Sequence, residues 1–105
     1  MNVSPLLQTF NKNIKDTEMT LRQTKSLLTN ISNLDNEGKE ILYVLIKSYN
    51  IKNEPKNMNT IPYKGNYDGD KLTFDIDDFP NKLKHILAKF SRMHLRKMKE
   101  DIKKQ

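Results

Sequence analysis

Apolar residues recur every seven positions along the first part of the chain. Ser4-Pro5 is typical of a helix start, with Ser at the N-cap and Pro at the first helical position. Of the two heptad series that follow, one is wholly apolar and the other is half threonine. The pattern predicts one long amphipathic helix over residues 5–31, which packs either on its own domain or on a second copy of the chain. The candidate oligomerisation residues are Leu7, Phe10, Ile14, Leu21 and Leu28.

Two further segments have helical periodicity. A second helix is predicted to start at Asp35 or Asn36, whose side-chain oxygens suit an N-cap, and its apolar residues cover more than one face, as in a core helix. Phe79-Pro80 opens a last helix, which is expected to fray after Leu95, where charge dominates. Its apolar stripe, continuing through Met93 or His94, contains Leu83, Ile86, Leu87 and Phe90.

The segment between these two helices predicts a loop followed by a short strand. Residues 50–70 hold two prolines, two glycines and five asparagines, and Asp68-Gly69 favours a turn. The stretch Leu72–Asp77 then alternates apolar with polar or acidic residues, which predicts a strand with two unlike faces. The preceding "TIPYKGNY" could also fold back through the turn and pair with this strand, in which case the chain would occupy its own strand edge.

Charge is distributed unevenly along the 105 residues, whose formal net charge is +6. Residues 1–64 carry a net +3, residues 65–78 carry a net −4 with five of the eight aspartates, and residues 79–105 carry a net +7. A basic protein therefore has an acidic strip, Asp68–Asp78, directly before its most basic segment.

The sequence predicts neither an enzyme nor a cofactor or metal site. There is no cysteine, no glycine-rich phosphate loop and no EF-hand spacing among the aspartates, and His85 and His94 lie too far apart to share a ligand. The longest apolar run, Ile41–Ile46, is too short to cross a membrane, and no membrane partner or signal peptide is expected. The basic C-terminus could contact nucleic-acid phosphates without base recognition, through Arg92, Arg96, Lys97 and Lys99.

The order helix, helix, loop, acidic strand, helix, ending in "DGDKLTFDIDDFPNKLKHILAKF", resembles the NET or extra-terminal (ET) domain. That domain occurs in bromodomain-ET transcription regulators and in related plant and viral proteins. The upstream "NISNLDNEGKEILYVLIKSYNIKNEP" is similar to the first helical pair of the family. Lys71 and Thr73 stand where the family often has acidic residues. The matching positions are Leu72, Phe74, Asp75, Ile76, Asp77, Phe79, Leu83, Ile86 or Leu87, and Phe90.

The resemblance implies a peptide-binding module, in which a partner peptide alternating lysine with apolar residues adds as a strand beside the acidic strand. The expected partners are lysine-rich, apolar peptide motifs of transcription or chromatin proteins, and the expected location is intracellular: the nucleus, or a virus factory if the chain is viral. The candidate peptide-binding residues are Leu72, Phe74, Asp75, Ile76, Asp77, Asp78, Leu83 and Leu87.

The predicted fold is mainly α: a three-helix ET-like domain with one short acidic strand or hairpin, preceded by a long N-terminal helix. The predicted divisions are an amphipathic helix over residues 1–30, an ET-like domain over 31–97 and a basic tail over 98–105. Three functions stay open: a peptide-binding adaptor, an oligomeric scaffold built on residues 5–31, and a nucleic-acid-associated protein acting through residues 92–104.

Overall fold

The computed structural model describes residues 10, 14, 16–53, 63 and 65–103. Within these residues the chain is mainly helical and carries one small antiparallel hairpin, so the predicted fold class is confirmed at that level. None of the described helices combines the length and apolar content needed to span a bilayer. The elements in chain order are α1 (Leu21–Ser32), α2 (Asn36–Asn53), β1 (Asn66–Asp68), β2 (Lys71–Thr73), a 3₁₀ turn (Ile76–Asp78) and α3 (Asn81–Lys103).

Helix α1 begins at Leu21, so the continuous helix predicted over residues 5–31 is not found; residues 16–20 are not helical. A capping box sets this start. Thr20 lies in extended conformation, its hydroxyl accepts the Gln23 N–H at 3.1 Å, and Gln23 Oε1 accepts the Thr20 N–H at 2.9 Å. These two bonds satisfy backbone donors that a continuing helix would otherwise use, and therefore favour a helix end over a helix interior.

Helix α2 begins where the sequence predicts. Asp35 caps it, since Oδ1 accepts the Gly38 N–H at 2.7 Å and the Asp35 carbonyl accepts the Lys39 N–H at 3.0 Å. The buried residues of α2 lie on one face and include Leu45, Ile46 and Tyr49. This face packs against α3 and forms half of the core.

Helix α3 supplies the other half of the core and runs further than predicted. Leu83, Ile86 and Leu87 have no exposed surface, and His94 rather than Met93 continues their stripe. The helix continues to Lys103, so the fraying expected after Leu95 is not found among the described residues. It also crosses the predicted boundary between residues 97 and 98, and α1 crosses the one between residues 30 and 31. Polar residues of high helix propensity extend α3 beyond its buried stripe.

The acidic strip forms part of a hairpin and the 3₁₀ turn that follows it. Strands β1 and β2 pair antiparallel with Tyr67 opposite Leu72, joined by Gly69-Asp70, where Gly69 has a φ of +63° that favours glycine. The strand predicted over Leu72–Asp77 ends at Thr73, because Asp75 Oδ1 accepts the Asp77 N–H at 3.0 Å and caps the 3₁₀ turn. Local side-chain bonding has thus replaced further strand pairing.

Candidate functional site

A groove of about 860 Å³ opens between the hairpin and helices α1 and α2. Leu28 and Ile31 of α1 form one wall, and Tyr67 and Leu72 of the hairpin form another. The segment after the hairpin and the exposed side of α2 complete the lining, which also includes Asn36, Lys39, Glu40, Leu42, Tyr43, Val44, Ile46, Asp70, Phe74, Ile76 and Phe79.

Large apolar side chains of this groove are open to solvent. Leu28 is 49% exposed, Val44 is 45% exposed and Tyr67 is 62% exposed. The ring centroids of Tyr43 and Phe74 lie 6.5 Å apart, and those of Phe74 and Phe79 lie 5.6 Å apart. Aromatic rings of the groove lining therefore pack against one another. A contiguous exposed apolar surface of this kind is typical of an interaction site, whereas single exposed apolar residues are common on any surface.

Aspartates lie along and next to the hairpin side of the groove. Asp70 lines it directly, whereas Asp77 and Asp78 are exposed between two residues that do, Ile76 and Phe79. Within the described part of the chain no aspartate of the strip forms an ion pair. The same residues contain no group of three or more side chains arranged to hold a metal ion. No Lys or Arg in the described part of the chain therefore neutralises these carboxylates by direct contact.

The structure brings only some of the predicted peptide-binding residues to the groove. Leu72, Phe74 and Ile76 line it, and Asp75, Asp77 and Asp78 are exposed near it. Leu83 and Leu87 do not line it, and both are fully buried in the core. Residues of α1 and α2, such as Leu28, Tyr43 and Val44, line the groove instead. Their part in the groove was not predicted from the sequence. Leu28 and Ile31 belong to the two heptad series, which indicated that this face of α1 is apolar. The series did not indicate which part of the molecule the face contacts.

The predicted oligomerisation residues have separate environments. Phe10 is buried and packs edge-to-face on Phe90, with ring centroids 5.6 Å apart, and Ile14 packs partly buried against the core. Leu21 is 72% exposed and Leu28 lines the groove, while Leu7 lies outside the described residues. Phe10 and Ile14 therefore pack in the chain's own core, and self-association stays a prediction that concerns Leu7, Leu21 and Leu28.

The predicted phosphate-contacting residues do not all share one face of α3. Arg92, Arg96 and Lys99 are exposed at spacings of four and three residues, which places them along one side of the helix. Lys97 is also exposed but lies roughly 100° around the helix from Arg96.

A partly buried contact between the N-terminal cap of α2 and α3 was not predicted. His94, 5% exposed, donates from Nε2 to Asp35 Oδ1 at 2.8 Å. The Gly38 N–H and, second, the His94 ring hold the pKa of Asp35 below its ordinary value by bonding to its carboxylate. A Cβ on Gly38 would lie 2.8 Å from His94 Cδ2, so glycine permits the close approach of the two helices. This contact fixes α2, and with it one side of the groove, on α3.

Comparisons with protein-family models, with curated proteins and with solved structures found no match to this chain.

Proposed function

We propose that the chain is a non-enzymatic, ET-type adaptor that binds linear peptides in which lysine alternates with apolar residues. The peptide adds as a strand to the hairpin and places its apolar side chains in the groove, with its lysines toward the acidic strip. Its partners are transcription or chromatin proteins, and its location is the nucleus, or a virus factory for a viral chain.

The observation that carries the proposal is the pairing of an open apolar groove with an acidic strip whose aspartates form no ion pair with another described residue. Apolar surface such as Val44 and Tyr67 contributes to affinity when a peptide covers it. The aspartates add attraction for lysine and select against acidic peptides. The exposed groove side chains Leu28, Val44 and Tyr67 are not members of the buried core.

Strand addition needs a strand edge that no other described strand occupies. Strand β1 occupies one edge of β2, and in the part of the chain that the structure describes no further strand pairs with either member of the hairpin. After β2 the chain stays extended through Asp75, whose φ is −91° and ψ is 122°. We place the peptide along the outer edge of β2, where its backbone hydrogen bonds supply affinity and the alternating groove residues Leu72, Phe74 and Ile76 read its side chains.

A charge-reversal pair tests the electrostatic part. Asp77→Lys/Asp78→Lys changes the strip and leaves the capping side chain of Asp75 in place, while Glu100→Lys/Asp101→Lys makes the same change in net charge on α3. With a fluorescent Lys/Ile peptide we expect wild-type affinity of about micromolar, because ordering a flexible peptide offsets much of the contact energy. The strip variant should bind roughly tenfold more weakly, through slower association, and the α3 variant should bind nearly as well as wild type.

Equal weakening by the two double variants would mean that net charge alone attracts the peptide. An unchanged affinity in the strip variant, with its circular dichroism intact, would separate the acidic strip from peptide binding and contradict the proposal.

A further inference from the structure

Basic side chains line the side of α3 that faces away from the core. Their spacings of seven, three, four and three residues return to the same side of a helix that turns every 3.6 residues. The stripe is about 25 Å long at ~1.5 Å per residue. We name it the basic face, and it consists of Lys82, Lys89, Arg92, Arg96 and Lys99, with one carboxylate, Glu100, on the same side at its C-terminal end. No member of the basic face forms an ion pair with another described residue.

A small polar cleft adjoins the basic face where α1 packs on α3. Its volume is about 110 Å³, several times the roughly 30 Å³ that one water molecule occupies in the liquid. Among the residues that the structure describes, no carboxylate lines the cleft, whose walls are Met19, Gln23, Ser26, Leu27, Asn30, His85, Ala88 and Arg92.

The cleft contains side chains that can donate hydrogen bonds. Gln23 Oε1 already accepts the Thr20 N–H, which leaves the amide hydrogens of Gln23 as donors. His85 Nε2 donates to the Thr17 carbonyl at 2.8 Å and so holds the ring beside the cleft. Arg92 belongs to both the cleft and the basic face, and links the two. A carboxylate-free cleft of amide, hydroxyl and guanidinium donors matches a phosphate group.

We propose that the basic face and this cleft together bind the phosphate backbone of double-stranded nucleic acid, with one phosphate seated beside Arg92. A linear row of cations matches a linear row of phosphates and reads no base sequence. The described residues of this face include no exposed aromatic side chain, so a single strand would find no stacking platform here. The inference does not depend on peptide binding, because the groove and the basic face share no residue.

A lipid surface fits less well. Membrane-surface helices insert an apolar face beside their basic one, whereas the apolar face of α3, including Leu83 and Phe90, is buried in the core. Binding to anionic vesicles would therefore have to rest on charge alone.

The test measures the anisotropy of a labelled duplex of random sequence as protein is added, over a series of salt concentrations. Five neutralised phosphates predict a log–log salt slope of roughly −4 to −5. Arg92→Glu/Arg96→Glu should weaken binding about tenfold or more and reduce the slope by about 2. The matched control Lys52→Glu/Lys97→Glu changes net charge equally on exposed residues off the basic face, and should retain most of the affinity.

A second pair isolates the cleft. Ser26→Asp puts a carboxylate into the cleft, whereas Thr29→Asp puts one elsewhere on the exposed surface of α1. Only the first should weaken duplex binding. Absence of duplex binding at low salt, equal losses in the two double variants, equal losses in the two aspartate variants, or binding to phosphatidylserine vesicles but not to duplex would each overturn the proposal.

Discussion

Helix α1 has the groove on one side and, on the other, the cleft that adjoins the basic face. The two surfaces differ in polarity and in charge. Toward the groove, α1 presents Leu28 and Ile31, which join aromatic rings and Asp70 of the acidic strip. Toward α3 it presents Gln23, Ser26 and Asn30, which join a histidine and an arginine. One twelve-residue helix therefore separates an apolar, acidic surface from a polar, basic one. A protein with a small core can thus form two unlike surfaces when one short helix lines both of them.

The largest expected effect comes from the residue that anchors α1. Leu27 is 1% exposed and packs in the core between the two surfaces. Leu27→Ala should lower the free energy of unfolding by about 2–5 kcal/mol, through lost burial and the cavity left behind. Urea denaturation measures this loss, with Leu21→Ala, at a residue 72% exposed, as the control expected to change little. A loss below about 0.5 kcal/mol for Leu27→Ala would show that α1 is not anchored there.

Gly38→Ala tests the close approach of Gly38 to His94, which fixes α2 on α3. Alanine normally favours a helix by ~1 kcal/mol over glycine. Here its Cβ would lie 2.8 Å from the buried ring of His94, so a net loss of about 1–3 kcal/mol is expected. Lys39→Ala, at the next and exposed position of the same helix, is the control and should stay within about 0.5 kcal/mol of wild type. Stabilisation by Gly38→Ala in thermal or urea unfolding would contradict the close approach of the helices.

A smaller effect distinguishes the groove from other exposed apolar surface. Val44→Gln removes an apolar side chain from the groove, and Leu21→Gln removes one that does not line it. Val44→Gln should weaken peptide binding by about threefold to tenfold, because part of a valine's burial energy is lost. Leu21→Gln should leave the affinity unchanged by isothermal calorimetry. Equal losses would mean that apolar exposure in general, rather than the groove, attracts the peptide.

The pH dependence of stability isolates Asp35. Because the folded state holds its pKa below the ordinary value of 3.8, Asp35 stabilises the fold above that pH. This stabilisation is lost as the pH falls below about 3.8 and the folded-state carboxylate becomes protonated. Acid unfolding should therefore be less steep for Asp35→Asn than for wild type, while Asp101→Asn should follow wild type. Identical acid profiles for wild type and Asp35→Asn would contradict the bonding of this carboxylate to Gly38 and His94.

Self-association remains the alternative use of α1. A dimer formed through Leu21 and Leu28 would cover Leu28 and compete with peptide for the groove. Light scattering at high micromolar concentration tests it: the scaffold alternative predicts a mass above the 12.4 kDa of one chain that falls when Leu21→Gln is introduced. A single-chain mass at all concentrations would remove that alternative.

Local signals in the sequence predicted most of the elements. Helix α2 was predicted from the Asp35 cap and the apolar run after it, and α3 was predicted from its apolar stripe. The turn predicted at Asp68-Gly69 is found one residue later, at Gly69-Asp70. The capping box at Thr20 was equally readable, but a seven-residue recurrence says nothing about where a helix starts. The groove could not be predicted, because its walls come from elements that meet only in the folded chain. The same holds for the Asp35–His94 contact, whose partners lie 59 residues apart.

The most direct test of the adaptor proposal is a titration of the isotope-labelled chain with a Lys/Ile peptide, followed through its backbone amide resonances. We expect the Lys/Ile peptide to shift amide resonances of α2 near Val44, of β2 and of the acidic strip. A Glu/Ile peptide should cause no comparable shifts. Adding the nucleic-acid duplex to the same sample should instead move resonances near Asn30 and Arg96. Unmoved amides across residues 71–78 on addition of the Lys/Ile peptide, or equal shifts with the Glu/Ile peptide, would contradict the claim that the acidic groove is a peptide-docking site.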